Sequence, residues 1–439
     1  MADSVFRFQL ENGLLVLLRE IHTAPLISHW IWYRVGSRYE FPGLTGLSHW
    51  VEHMQFKGTP LFPPGVMEQA IARQGGVWNA LTFLDWTAYF EILPPAKINL
   101  ALQLEADRMT NSLFEPAEVE AERSVIIAER QGNENEPVFR LGEEVQAAAF
   151  RVHPYHHLTI GDLADLQTIS RDDLHRHYRT FYAPNNAVLA IAGDFEIQSM
   201  IDRVRQDYAS IPAGQTPPTR LRPEPPQMGE RRVTVEGPGE TTYIQLAYHA
   251  PQANHADFFA WVILDSLLTG PSSLNLFGAG ISNKTSRLYR SLVETELAVS
   301  VSGGLQATVD PFLHSVLIVV HPHSSPESVI ACVDREISRL QASPPDASEL
   351  TRAVKQARAL FAYGSETITN QAYWLGVAEM FASYEWFTGY LDGLAAVTPE
   401  SVQRLAQVYL RPQNRVVGVY LPTGESLSGD SINEMPSDA

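Results

Sequence analysis

The order of apolar and polar residues divides the chain into strand-like and helix-like stretches that come round twice. Residues 6–10 and 14–18 flank Glu11-Asn12-Gly13. An Asn-Gly between apolar runs predicts a hairpin, because both residues tolerate the positive φ of a tight turn. A further strand is predicted over 26–35. A short helix follows, with apolar positions at Leu47, Trp50, Val51, Met54 and Phe56 and a stop signal at Gly58-Thr59-Pro60. Beyond it, 64–74 reads as a helix broken by Gly75-Gly76, and 77–82 and 87–93 read as two strands around Asp85. Two long helical patterns come next, over 95–111 and 116–130, the second opening on a proline that a first helical position tolerates.

The closing elements of this stretch recur near the C-terminus. Ser170 is the N-cap of a helix over 171–182, with Asp172 and Asp173 in its first turn. Pro184, Asn186 and a strand over 187–192 follow. Thr398 likewise opens a helix, and Pro412, Asn414 and a strand over 415–420 come at the same spacing. Between the two rounds, 210–231 is rich in proline and polar residues, with Pro217-Pro218 and Pro225-Pro226, and has the composition of a linker. Strands over 233–235 and 241–248, a helix over 258–268 and a glycine- and serine-bearing loop over 270–284 start the second round. That loop lacks the Gly-Lys-Ser/Thr of a phosphate-binding loop. The predicted fold class is α+β, with two duplicated units that are each a mostly antiparallel sheet covered by helices. The expected boundaries are 1–210 for the first unit, 211–231 for the linker and 232–439 for the second.

A chain of 439 residues exceeds one core, which agrees with two units. No apolar run reaches membrane-spanning length, so no membrane insertion is expected. The first seven residues lack a basic flank followed by an apolar run, and the expectation is a cytoplasmic protein, or a periplasmic one if a leader has been trimmed. A formal charge of −18 argues against a nucleic-acid partner. The charge is read mainly as solubility. A sharper reading lets acidic side chains line a substrate chamber and favour basic peptides. The single cysteine, Cys332, excludes internal disulfides and multi-thiolate zinc sites, and its helical surroundings place it in the core.

The chemistry concentrates in His49-Trp50-Val51-Glu52-His53. On a helix, His49 and His53 are four apart and Glu52 three from His49, so all three leave one face while Trp50 and Val51 leave the other. Imidazoles one turn apart can share an ion, with the carboxylate beside whatever water that ion holds. Two histidines do not complete a hydrolytic zinc site, so a third ligand is expected elsewhere. In the helix over 116–130, residues 125–128 are apolar and predict a buried turn ending at Glu129, a carboxylate that then needs a partner. Glu122 lies two turns earlier on the same face. A second cluster, His153-Pro154-Tyr155-His156-His157, has no helical spacing and reads as a loop rather than a separate metal site.

With these pieces in place the chain resembles the M16 peptidases, the pitrilysin and mitochondrial processing peptidase group, in the form that carries one two-domain half per chain. The resemblance runs through Gly46-Leu47-Ser48-His49-Trp50-Val51-Glu52-His53-Met54-Gln55-Phe56-Lys57-Gly58-Thr59 and Gly75-Gly76-Val77-Trp78-Asn79-Ala80-Leu81-Thr82. It continues through Glu122-Arg123-Ser124-Val125-Ile126-Ile127-Ala128-Glu129 and Tyr182-Ala183-Pro184-Asn185-Asn186. In that family the third ligand is a glutamate roughly 76 residues past the second histidine, which lands on Glu129. The resemblance thus implies Zn2+ on His49, His53 and Glu129, Glu52 as general base, Glu122 as an acid steadying the site, and Asn79 and Ala80 on a substrate-pairing strand. It implies a zinc-dependent endopeptidase acting on peptides or unfolded segments.

One departure shapes the partner expectation. Catalytic assemblies of the family also use an arginine and a tyrosine from the half without zinc ligands. That pair is seven apart in the family; allowing a one-residue deletion, its positions here fall on Val293 and Val299, and the neighbouring Tyr289 and Arg290 have the wrong spacing to substitute. The expectation is therefore a heterodimer in which a homologous subunit brings that pair and closes a chamber, with a homodimer as the fallback. The competing class is a non-hydrolytic scaffold or peptide-holding subunit.

Overall fold

The computed structural model describes residues 5–217, 222–278 and 280–424. Pro218, in the predicted linker, lies outside the described residues. Two sheets form the frame. The first is ordered β1-β2-β6-β3-β5-β4, from β1 (Phe6–Gln9), β2 (Leu15–Glu20), β3 (Ile27–Tyr33), β4 (Val77–Thr82), β5 (Thr87–Leu93) and β6 (Ala187–Gly193). The second is ordered β7-β11-β8-β10-β9, from β7 (Arg231–Gly237), β8 (Tyr243–Ala250), β9 (Ala298–Leu305), β10 (Phe312–Val320) and β11 (Arg415–Pro422).

The duplication is visible in the ladders. β2, β6, β3, β5 and β4 follow one another in space as β7, β11, β8, β10 and β9 do. Each sheet has one parallel pair, β2 with β6 and β7 with β11, in an otherwise antiparallel ladder. The last strand of each unit, β6 or β11, returns parallel beside an early one, β2 or β7, from a helix, and a long connection is what a parallel neighbour requires. The α+β architecture of two helix-covered sheets is thus the observed one.

Each sheet is finished by a helix from the other half of the chain. Helix Ile368–Phe381 packs across β3 and β6, while helix Pro137–Ala149 packs across β7, β8 and β11. The first of these is buried almost all round, as a helix enclosed on both sides must be apolar on both. Its approach is close: a Cβ on Gly376 would stand 1.9 Å from the Trp32 indole nitrogen. Trp30 and Trp32 stack at 5.1 Å, and Tyr373 of the incoming helix meets both edge-on.

The periodicity located β1 to β8 and β11 to within a few residues and left β9 and β10 unassigned. Among the helices it also left Pro137–Ala149, Ile197–Tyr208, Ala347–Tyr363 and Ile368–Phe381 unassigned. The first holds Gly142 in its centre, which weakens local propensity. What secures it is the foreign sheet it covers, through Leu141, Val145 and Ala149. Among the described residues no helix is long and apolar enough to cross a membrane. Cys332 is a buried free thiol.

Candidate metal centre

The motif residues form helix Leu47–Met54, which buries Leu47, Trp50, Val51 and Met54 and turns His49, Glu52 and His53 the other way. Its N-terminus is built for a tight approach. Gly46 has φ of 90°, and a Cβ there would stand 2.7 Å from the Ile160 carbonyl oxygen. The helix has no side-chain cap of its own. The Glu40 carboxylate replaces one, accepting the N–H groups of Gly46 and Ser48 at 2.7 Å each. Burial works to raise the Glu40 carboxyl, but the His157 hydrogen bond and charge and the Ser48 N–H outweigh it, and Glu40 is held below the usual carboxylate range. An anion at a helix N-terminus is the favourable sign.

Helix Pro116–Asn133 supplies the other carboxylates. Only Val119, Glu122, Ile126 and Arg130 of it are buried. The expected buried turn over 125–128 is therefore corrected: Val125 is 50% exposed, and the Glu129 side chain is 42% exposed. At 100° per residue a helix resting on one neighbour buries only every third or fourth position, however apolar the run. Glu122 and Glu129 nevertheless share a face and both reach the motif helix.

Three atoms converge there. His49 Nε2 and His53 Nε2 are 3.2 Å apart, and Glu129 Oε2 lies 3.8 Å from the first and 3.7 Å from the second. Two donors each about 2.0–2.1 Å from a tetrahedral zinc stand about 3.4 Å apart, so the triangle has the size of one face of such a site. The donor chemistry also fits. The His53 Nδ1–H donates to Glu122 Oε1 at 2.8 Å, which leaves the Nε2 lone pair directed at the triangle. Two imidazole nitrogens in such contact repel unless a proton or cation lies between them. Lys57 Nζ, 2.5 Å from the second oxygen of Glu122, balances the charge of that support.

The protonation tendencies follow from the surroundings. Burial, then the neighbouring His53, pulls His49 down to about 4, so its imidazole is neutral and able to ligate. Burial also works against His53 charging, but the Glu122 hydrogen bond and the charges of Glu52, Glu122 and Glu129 raise it overall, so a metal must compete with a proton. Burial pushes the Glu52 carboxyl up, against the hydrogen bond from Thr82 and the charge of His53. Thr82 Oγ1 donates to Glu52 Oε2 at 2.6 Å. Glu122 is held low despite its burial, because His53 and Lys57 both bond to it.

A cavity of about 620 Å3 opens on His49, Glu52 and Glu129. β4 is the outer strand of its sheet and brings Ala80, Leu81 and Thr82 into the cavity wall. Asn79 Oδ1 accepts the Ala80 N–H at 2.9 Å, so this strand edge is occupied by its own neighbour's carboxamide. The second half of the chain contributes Gln245, Gln306, Phe312, Leu313 and Ser315 to the wall. Val293 ends a turn of π-helix and Val299 is 55% exposed on the outer strand β9; neither lines the cavity.

The loop histidines are otherwise engaged, His153 with Asp310 at 3.1 Å and His157 with Glu40 at 3.2 Å. Another grouping, Glu20, His22 and Glu196, surrounds an imidazole already bonded at both nitrogens, to Asp194 at 2.6 Å and Glu20 at 2.8 Å. Sequence reasoning missed Glu40, Lys57 and Thr82. Lys57 follows His53 by four and Thr82 follows Ala80 by two, spacings that could have placed both beside the site. Glu40 carries no such signal.

The family described as "Insulinase (Peptidase family M16)" matches residues 15–162, and "Peptidase M16 inactive domain" matches 168–357. "Zinc protease PqqE" of Helicobacter pylori is 31% identical over 264 residues, 59% of this chain and 60% of that protein. The "Probable mitochondrial-processing peptidase subunit beta" of Arabidopsis thaliana is 25% identical over 426 residues, 94% of this chain and 77% of that one. The crystal structure of a protease from Helicobacter pylori superposes with a TM-score of 0.89 at 25% identity, covering 96% of this chain and all of that one. A fold of two duplicated sheet-and-helix units, with two histidines and a glutamate on one face of a motif helix and a further glutamate reaching them from a second helix, defines a class of metallopeptidase halves. This chain belongs to the M16 peptidase family.

Proposed function

We propose that the chain is a zinc-dependent endopeptidase subunit that cleaves peptides or unfolded segments inside a chamber closed by a homologous partner. The observation that carries this reading is the triangle of His49 Nε2, His53 Nε2 and Glu129 Oε2, with the Glu52 carboxylate on the same helix face and the same cavity. In this reading His49, His53 and Glu129 hold the metal, and Glu122 fixes the tautomer of His53. A bound zinc ion supplies a Lewis acid and lowers the pKa of water toward about 7.

The remaining steps belong to side chains. Glu52 takes a proton from the attacking water and returns it to the leaving amine. Thr82 ties down Oε2 of Glu52 and so leaves Oε1 for that proton. The free edge of β4 receives an extended peptide by strand addition, for which the Asn79 carboxamide must release the Ala80 N–H. The missing arginine and tyrosine, with valines in their places, support a partner that supplies them, and a relative named as a beta subunit agrees with that.

The test is Glu52→Gln in the full chain, assayed for zinc and for peptide cleavage, alone and with any co-purifying chain of similar length. The expected result is retained zinc and turnover lowered by about 100-fold or more. Full cleavage by the chain alone would refute the partner. Zinc-loaded wild type that cleaves nothing in either state would favour the scaffold reading, which the match of 168–357 with an inactive domain leaves open.

A further inference from the structure

Of the three corners of the triangle, Glu129 is the one that packing does not fix. Its side chain is 42% exposed, and Val125, one turn before it, is 50% exposed. Its place is therefore set by the helix backbone. The bond from His53 to Glu122 pins helix Pro116–Asn133 seven residues earlier, about 10 Å along the axis at a rise of about 1.5 Å per residue. A tilt of about 5° about that point would carry Glu129 by about 1 Å, whereas a zinc–donor distance tolerates about 0.2 Å. A rigid site needs a second pin close to Glu129.

Arg130, the next residue, makes the contacts of such a pin. It is 7% exposed. Its Nη1 donates to the Gly161 carbonyl at 2.8 Å, its Nη2 donates to Glu143 at 2.8 Å, and its Nε lies 3.1 Å from Glu134. Gly161 has φ of 82° and sits against the residue that precedes the motif helix, since a Cβ on Gly161 would stand 2.6 Å from the Gly46 nitrogen. The Asp162 N–H donates to Thr45 Oγ1 at 2.8 Å, which fastens the same loop to the same turn. Glu143 belongs to helix Pro137–Ala149, which packs across the second sheet.

We infer that Arg130 is a positioning residue for the metal centre. Its fork holds the Glu129 end of one helix against the start of the helix that carries His49, and ties both to the helix that covers the second sheet. The inference rests on the reading of Glu129 as a ligand. A planar guanidinium suits the task, because it meets a carbonyl and a carboxylate at once in a fixed geometry, whereas an ammonium is a point charge on a flexible stem. Arg130 acts on the ion through where it puts Glu129.

The experiment measures zinc affinity of the full-length protein by competition with a chromogenic chelator, in a double-mutant cycle between Arg130 and Glu129. Arg130→Met should lower the affinity about ten-fold or more. Arg130→Lys, which keeps the charge for Glu143 but loses the fork, should fall between that variant and wild type. In a Glu129→Gln background neither substitution should cost anything further, because the corner that Arg130 positions is already gone. If Arg130→Met does not fold, the lysine variant carries the cycle. Affinity equal to wild type in the Arg130 variants, or a loss of the same size in the Glu129→Gln background, would overturn the inference, the second by showing a role in general stability alone. Wild type that takes up no zinc, or a Glu129→Gln variant that binds it as tightly as wild type, would instead refute Glu129 as a ligand and the reading beneath the inference.

Discussion

The Nδ1 of His53 donates to Glu122 across 2.8 Å, a contact that joins the motif helix to the helix that carries Glu129. It fixes which nitrogen of His53 faces the triangle. Glu122→Gln keeps the shape but weakens the acceptor and strands Lys57, so zinc affinity should fall by about 10–100-fold. Competition with a chromogenic chelator measures it, and unchanged affinity would remove Glu122 from the site.

Zinc should also stabilise the fold, because the donors come from two helices that unfolding separates. At a free concentration about 100 times its Kd, the ion contributes about 2.7 kcal/mol. Thermal unfolding with and without a chelator should show a clear drop in Tm for wild type. His49→Ala should show none.

The Thr82 hydroxyl favours the charged form of Glu52, so removing it raises the carboxyl further. A general base must be deprotonated, and its rate is lost as pH falls through its pKa. In Thr82→Val the acidic limb of kcat/KM should therefore move to higher pH, while zinc content stays the same. A profile that does not move would mean that Thr82 does not act on Glu52.

Glu40 is held below its ordinary value of 4.5 in the folded chain. Its contribution to stability is present above that value and is lost as pH falls through the lower, folded one. Thermal unfolding from about pH 6 down to about pH 3.5 should show wild type losing stability more steeply than Glu40→Gln below about pH 4.5. The variant should start from a lower Tm, since a neutral amide caps Gly46 and Ser48 less well.

Gly376→Ala puts a methyl into the Trp32 indole. Overpacking of this kind costs about 1–3 kcal/mol, and here the neighbour is a fully buried Trp that cannot swing away. Denaturant unfolding should show a lowered midpoint with an unchanged slope. Full stability would mean that helix Ile368–Phe381 sits farther from β3 than described.

The local pattern reached as far as local physics does. Strands at 77–82 and 87–93, the Ser170 cap and the 49–53 helix are set by alternation, turn residues and spacing within one element, and these the amino-acid order determined. The same spacing placed His49, Glu52 and His53 on one face. The resemblance proposed Glu129, and the fold brings Glu129 within 4 Å of both imidazoles.

Tertiary structure decided what no single element contains. Helix Pro137–Ala149 takes its partner from the opposite sheet, so its own residues could not announce it. Glu40 caps a helix it does not belong to, and Glu129 stands exposed beside a cavity although the four residues before it are apolar. The wall of the cavity beside the candidate metal centre draws on stretches near 138, 158 and 312, and a net charge summed over the whole chain carries no information about which side chains meet there.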